Sequence, residues 1–184
     1  MTAAVRVDDD LRDRIRAAVR DVPDFPKPGI IFKDITPLLE DAGLFAATTA
    51  AMAAPFAGDG ITHVVAIESR GFILGAPVAQ QLGAGFVPVR KPGKLPHRTH
   101  SVEYDLEYGT DRLEIHADSC GDRGARVLIV DDVLATGGTA AATRRLVEGR
   151  SGVTVVGFSF LMTLAFLPGE ERLRGARMET LVRY

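Results

Sequence analysis

Four apolar runs constrain this chain more than any other feature: ITHVVAI at 61–67, FVPV at 86–89, ARVLIV at 125–130 and VTVVGFSFL at 153–161. Three of them are nearly continuous rather than alternating, the pattern of strands buried on both faces, as in a parallel sheet. Helical stretches at about 72–82 and 138–148 lie between them. Strand and helix alternating at this spacing predict a doubly wound α/β fold, with a central, mostly parallel sheet flanked by helices. A length of 184 residues fits one domain spanning 1–184. Such a domain buries roughly 70% of the surface its unfolded chain exposes.

The rest of the chain is read around that sheet. Leu11, Ile15, Ala18 and Val19 share one helical face, which predicts a helix over Asp8–Arg20. The acidic Asp8–Asp10 suits its N-terminal dipole, and Pro23 is expected to end it. The segment DFPKPGIIFKDITP, 24–37, carries too much proline for a long regular element, and its Ile30, Ile31 and Phe32 are expected to pin it to the core. Residues 43–54 are alanine-rich and helical in propensity. Lys91 to Tyr104 fits neither period and reads as a long loop, a kind usually functional or mobile. Residues 104–115 read as two short strands around Gly109.

Composition narrows the function classes. Hydrophobic residues at 46% and charged residues at 25% exclude a disordered or collagenous chain. No apolar run approaches the roughly 20 residues needed to span a bilayer. The N-terminal stretch is charged throughout and lacks the apolar core of a secretory signal. Cys120 is the lone cysteine, which excludes an intramolecular disulfide and a cysteine-rich zinc site and fits the cytoplasm. A net charge of −2 gives no global pull toward nucleic acid or membrane, so neither is expected as a partner. His97 and His100 have no convincing metal spacing, and no protein-held metal is expected.

Ligands of open α/β sheets bind beyond the carboxyl ends of the strands. There ARVLIV is followed by Asp131-Asp132-Val133-Leu134-Ala135-Thr136-Gly137-Gly138-Thr139. Two carboxylates are expected to end a buried strand, followed by a small-residue turn and a helix. Gly137 and Gly138 let the backbone approach a ligand, and Thr136 and Thr139 add hydroxyls. The helix N-terminus offers free N–H groups and a positive dipole end to a phosphate. Paired aspartates suit ribose hydroxyls or a hydrated cation. No lysine follows the glycines, so this is not a Walker loop. A phosphorylated sugar is the ligand these residues fit together.

VLIVDDVLATGGT resembles the phosphoribosyl-pyrophosphate motif of the type I phosphoribosyltransferase family. That resemblance implies the family's fold, with an N-terminal hood at about 24–39 and a mobile catalytic loop at about 91–104. It implies that Asp131 and Asp132 hold the ribose and that Ala135, Thr136, Gly137, Gly138 and Thr139 hold the 5′-phosphate. Glu68-Ser69-Arg70-Gly71 then falls at the family's pyrophosphate loop, with a cis peptide expected at Ser69–Arg70. Arg90, Lys91 and Lys94 in VRKPGKLP fall at its basic loop, which meets pyrophosphate partly across a homodimer interface.

The hood segment, with ESRGFILGAPVA, RKPGKLP, EYDLEYG and LEIHADS in the same order, is similar to the adenine-using branch of the family. The resemblance implies transfer of the phosphoribosyl group from phosphoribosyl pyrophosphate to adenine, giving AMP and pyrophosphate in purine salvage. It implies Mg²⁺ held mainly by the donor. Ile31, Phe32 and Lys33 would meet the base, with Val133 on its other face; Glu103 and Tyr104 would manage its proton, and Arg70 the leaving group. His97 departs from the glycine common at that position and bears on loop closure. Three other readings compete: a nucleotide-sensing regulator on the same fold, the same chemistry on a 6-oxopurine, and a generic flavodoxin-like phosphate binder.

Overall fold

The structure, a computed structural model, describes residues 9–106, 109–121 and 124–184. The chain runs α1 (Asp9–Ala18), β1 (Arg20–Pro23), β2 (Ile31–Asp34), α2 (Thr36–Glu40), α3 (Ala42–Ala53) and a 3₁₀ turn (Ala54–Phe56). It continues through β3 (His63–Ile67), α4 (Arg70–Leu82), β4 (Gly85–Val89), β5 (Thr99–Leu106), β6 (Gly109–His116) and β7 (Ala125–Leu134). It ends with α5 (Gly138–Glu148), β8 (Val153–Thr163), α6 (Gly169–Arg172) and β9 (Met178–Arg183).

Among the described residues, β4-β3-β7-β8-β9 form a five-stranded parallel sheet in that order. Both faces are buried, which is why the runs read as continuous apolar sequence. Alternate residues of one strand serve different layers. Val64, Leu128 and Val130 pack with α1, α3 and α4, whereas Val65, Ile67, Val127 and Ile129 pack with α5 and the β5–β6 arm. Gly75 permits the close approach of α4, since a Cβ there would stand 2.6 Å from the Ala66 side chain.

The topology places the crevice. β3 feeds α4 and β4 toward one edge, and the chain then returns past β3 to β7 and continues toward the other edge. This reversal between β3 and β7 is the switch point where doubly wound sheets bind ligands. The β3 pairing with β7 ends at Ala66↔Val130, while β7 continues against β8 as far as Leu134↔Thr163. From Asp131 onward β7 is therefore open on its β3 side.

Several expectations need correction. The first helix stops at Ala18, well before Pro23, because Arg20–Pro23 is the strand that pairs with Ile31–Asp34. Ile30 and Ile31 do not pin the segment to the core: they are 41% and 59% exposed, since among the described residues the β1–β2 ribbon is a two-stranded sheet of its own. β7 does not end before the aspartates but runs on through Asp131 and Asp132. The loop read from Lys91 to Tyr104 gives way at Thr99 to β5, which pairs antiparallel with β6; the two strands are longer than the short pair read over 104–115, and Gly109 opens β6 rather than separating them. β9 had no counterpart in the sequence reading.

Candidate active site

The wall on the β7 side is built from one contiguous stretch. Asp131, Val133, Leu134, Ala135, Thr136, Gly137, Thr139 and Ala140 line a pocket of about 140 Å³. Gly137 caps α5 with φ at +77°, and no side chain occupies the helix N-terminus as a cap. The first amides of α5 are therefore open to an anion. Gly137 is doubly constrained, because a Cβ there would also stand 2.8 Å from the Gly169 carbonyl oxygen. Gly138 is buried as the first residue of the helix.

Asp132 is 3% exposed and pairs with the Arg70 guanidinium at 2.8 Å. Asp131 is half-buried, and its Oδ1 accepts the Asp132 amide at 2.9 Å. Gly71 packs against it so closely that a Cβ would stand 2.8 Å from the same oxygen. Burial and the neighbouring carboxylate push the Asp131 carboxyl well above the ordinary range. Burial raises Asp132 as well, with Arg70 acting against it. The pair thus holds negative charge against an unfavourable environment, poised for a ligand that supplies positive charge or hydroxyl donors.

The opposite wall is β3–α4. The non-proline cis peptide there lies at Glu68–Ser69, one bond earlier than expected. The Ser69–Arg70 bond already enters α4, whose turns are built of trans peptides. Arg70 is a bridge: besides Asp132 it donates to the Lys33 carbonyl at 3.2 Å and stacks 4.7 Å from the Phe32 ring centroid. One guanidinium therefore joins the aspartate pair to strand β2. Ser69 is exposed at the helix start.

Several expected ligand groups are engaged within the protein. Glu68 accepts from Arg90 at 2.9 and 3.2 Å and from the Lys91 amide at 2.9 Å, and the Arg90 hydrogen bond holds its carboxyl below the ordinary value. Arg90 also donates to the Lys94 carbonyl at 3.0 Å, so it braces the basic loop. Lys94 itself is exposed. The Lys33 ammonium sits on Asp21 at 2.6 Å and 3.9 Å over the Tyr184 ring. Ile31 is exposed and Phe32 half-buried, edge-on to Phe25 at 5.1 Å. Val133 packs partly against the core below.

The structure does not bring Glu103 and Tyr104 together. Adjacent strand residues face opposite ways. Tyr104 is buried, with its hydroxyl donating to Asp111 at 3.3 Å and accepting from Thr139 at 3.4 Å, and burial raises its pKa. Glu103 is exposed and ion-paired with Arg112 at 2.6 Å. A second Glu-Tyr pair, Glu107 and Tyr108, lies outside the described residues. Asp21, Asp111 and Tyr184 carry no motif signal in the sequence and join the site only through the fold. Two strands placed symmetrically about Gly109 would set Tyr104 opposite Glu114, whereas the register sets it opposite Asp111, so that contact is visible only in the structure.

Comparison with known proteins places this geometry. Residues 38–163 match the phosphoribosyl transferase domain family. The adenine phosphoribosyltransferase of Myxococcus xanthus is 59% identical over 92% of this chain and 91% of its own length. That of Streptomyces coelicolor is 53% identical over 94% and 96%. The adenine phosphoribosyltransferase structure from Rhodothermus marinus superposes with a TM-score of 0.91 at 52% identity, covering 96% of this chain and 100% of that one. The Saccharomyces cerevisiae enzyme, complexed with adenine and an imino-altritol bisphosphate, gives 0.86 at 39% identity, covering 94% and 98%.

Proposed function

This chain belongs to the phosphoribosyltransferase family, in its adenine phosphoribosyltransferase branch, and from that premise we infer that it transfers the 5-phosphoribosyl group of phosphoribosyl pyrophosphate to adenine, giving AMP and pyrophosphate. The observation that carries this reading is the sequence of charges along the open end of β7: an aspartate pair, one member buried and one half-buried, then an uncapped helix N-terminus. A sugar phosphate presents hydroxyls and a phosphate in that order.

In the reaction, N9 of adenine bonds to C1′ as the bond from C1′ to the diphosphate oxygen breaks. Positive charge grows on the ribosyl ring and negative charge on the leaving group. Asp131 and Asp132 hold the ribose hydroxyls, and their field favours the cationic ring. Ala135 to Thr139 anchor the 5′-phosphate, remote from the breaking bond, so their binding energy serves positioning. Lys91 and Lys94 meet the diphosphate, while Arg90 and Glu68 shape the loop that carries them. Ser69 offers its backbone at the diphosphate. Phe32, Ile31 and Val133 receive the flat apolar base, and Lys33 reads its edge on leaving Asp21. Arg70 gives base and sugar a common support.

Among the described residues, no group of three or more His, Cys, Asp or Glu is placed to hold a metal ion. Asp132 is already paired with Arg70. Mg²⁺ would then be held mainly by the donor's own diphosphate, and Asp131 is the carboxylate that would be free to meet it. When bound, it neutralises charge on the leaving group. For the purine proton, the ion-paired and exposed Glu103 is the weaker of the two glutamates in the EYDLEYG segment, and Glu107 is the other. A homodimer would draw on exposed apolar side chains such as Ile73 of α4 and Phe86 of the edge strand β4, 43% and 39% exposed. A reducing compartment, the cytoplasm, suits the single buried thiol of Cys120.

The test is product formation from phosphoribosyl pyrophosphate and Mg²⁺ with adenine, hypoxanthine, guanine or xanthine. AMP from adenine alone, lost with a chelator, is the expected result. Product from a 6-oxopurine would overturn the base assignment. Donor binding without product from any base would replace catalysis by nucleotide sensing.

A further inference from the structure

One carboxylate outside the motif segments ties together three parts of the site. Asp111, on β6, accepts at a single oxygen both from the Lys91 ammonium at 3.0 Å and from the Tyr104 hydroxyl at 3.3 Å. Tyr104 in turn accepts from Thr139 at 3.4 Å, in the first turn of α5. A continuous chain of polar contacts thus runs from the base of the basic loop, through the β5–β6 arm, to the phosphate-binding helix. Asp111 is more shielded than its partner, with side-chain exposures of 21% against 59% for Lys91. Burial alone would raise the Asp111 carboxyl, yet the hydrogen bonds from Lys91 and the Arg112 amide hold it below the ordinary value. The same contact raises Lys91.

We propose that Asp111 is a positioning residue that holds Lys91 in reserve, so that diphosphate must draw the ammonium off this carboxylate when the donor binds. The proposal rests on the reading of Lys91 as a diphosphate group. A lysine serves both partners because its ammonium is a point charge on a flexible stem, with three donors that reorient freely. The exchange leaves Asp111 to Tyr104 and the Arg112 amide. Loss of the Lys91 contact from the arm then accompanies donor binding. Asp111 subtracts affinity for diphosphate and none for a ligand that lacks one.

The experiment is a double-mutant cycle on the full chain, with Asp111→Asn and Lys91→Met, measuring the Kd of magnesium pyrophosphate and of AMP by calorimetry. Asp111→Asn is expected to tighten pyrophosphate about fivefold, the ceiling for a half-exposed ion pair. It is expected to leave AMP unchanged, and the gain should vanish in the Lys91→Met background. Tightening that persists without Lys91 would mean general charge removal and would overturn the proposal, as would weaker pyrophosphate binding or parallel loss of AMP. If Lys91→Met alone leaves pyrophosphate affinity intact, the reading of Lys91 fails and the proposal with it. If that variant weakens pyrophosphate while Asp111→Asn changes nothing, only the reserve role fails. Tyr104→Phe, which spares the Lys91 contact, should not reproduce the tightening; if it does, the effect belongs to the arm rather than to the lysine.

Discussion

Gly137→Ala puts the phosphate cradle to a quantitative test. The residue sits at φ +77°, where an L side chain costs about 1–2 kcal/mol. Its new Cβ would also stand 2.8 Å from the Gly169 carbonyl oxygen and 3.0 Å from the Gly169 Cα, both backbone atoms that cannot rotate away. Overpacking of that kind costs about 1–3 kcal/mol. The two together come to about 2–5 kcal/mol, and the molecule can lose it in two ways. If the turn is held in place, the loss falls on stability, and about 2 kcal/mol lowers Tm by roughly 4–8 °C in a domain of this size. If the turn shifts instead, the α5 amides no longer converge on the phosphate, and the same energy is about a 30-fold loss of affinity. Thermal unfolding of the free protein and calorimetric binding of AMP separate the two. Their summed loss is expected to reach at least about 2 kcal/mol. A variant that keeps both Tm and AMP affinity would refute the close packing of Gly137 on Gly169.

Three further outcomes follow from the same geometry. Asp131→Asn is expected to raise Tm at neutral pH while lowering kcat/KM for the donor. The raised carboxyl binds its proton more tightly folded than unfolded, so its ionisation destabilises the fold as pH rises above about 3.8, and the amide removes that burden; a lower Tm would contradict it. Asp34 has the opposite sign, for hydrogen bonds from the Thr36 hydroxyl and amide, with Arg20, hold its pKa at about 2. Its contribution to hood stability is present above about pH 4 and lost as pH falls toward 2, so the Tm gap between the wild type and Asp34→Asn should be constant above pH 5 and close below pH 4. For the purine proton, Glu107→Gln is expected to lower kcat by about 10²-fold or more and Glu103→Gln by less than about threefold. The reverse ranking would return the role to Glu103.

How far the sequence discloses this molecule depends on where each signal is stored. The central sheet is legible because burial on both faces leaves apolar runs that no helix period explains, and the proposed phosphate cradle because a strand, a turn and a helix start lie consecutively in the chain. The hood ribbon was missed for the opposite reason. Its pairing joins Arg20–Pro23 to Ile31–Asp34 across a proline-rich connection, and prolines at 23, 26 and 28 mask strand character locally. β9 hides in the same way, with Glu179 and Thr180 interrupting its apolar residues. Among the site residues, composition could not tell a ligand group from a brace: Glu68 and Arg90 are charged and adjacent to the cleft, yet each satisfies the other. Glu103 and Tyr104 show what a strand does to a dipeptide. Once Thr99–Leu106 is a strand, its period of two sends one member to Arg112 and the other to Asp111 and Thr139. Any acid–base pair drawn from neighbouring residues must therefore lie where the strand has ended, or draw its two members from different strands.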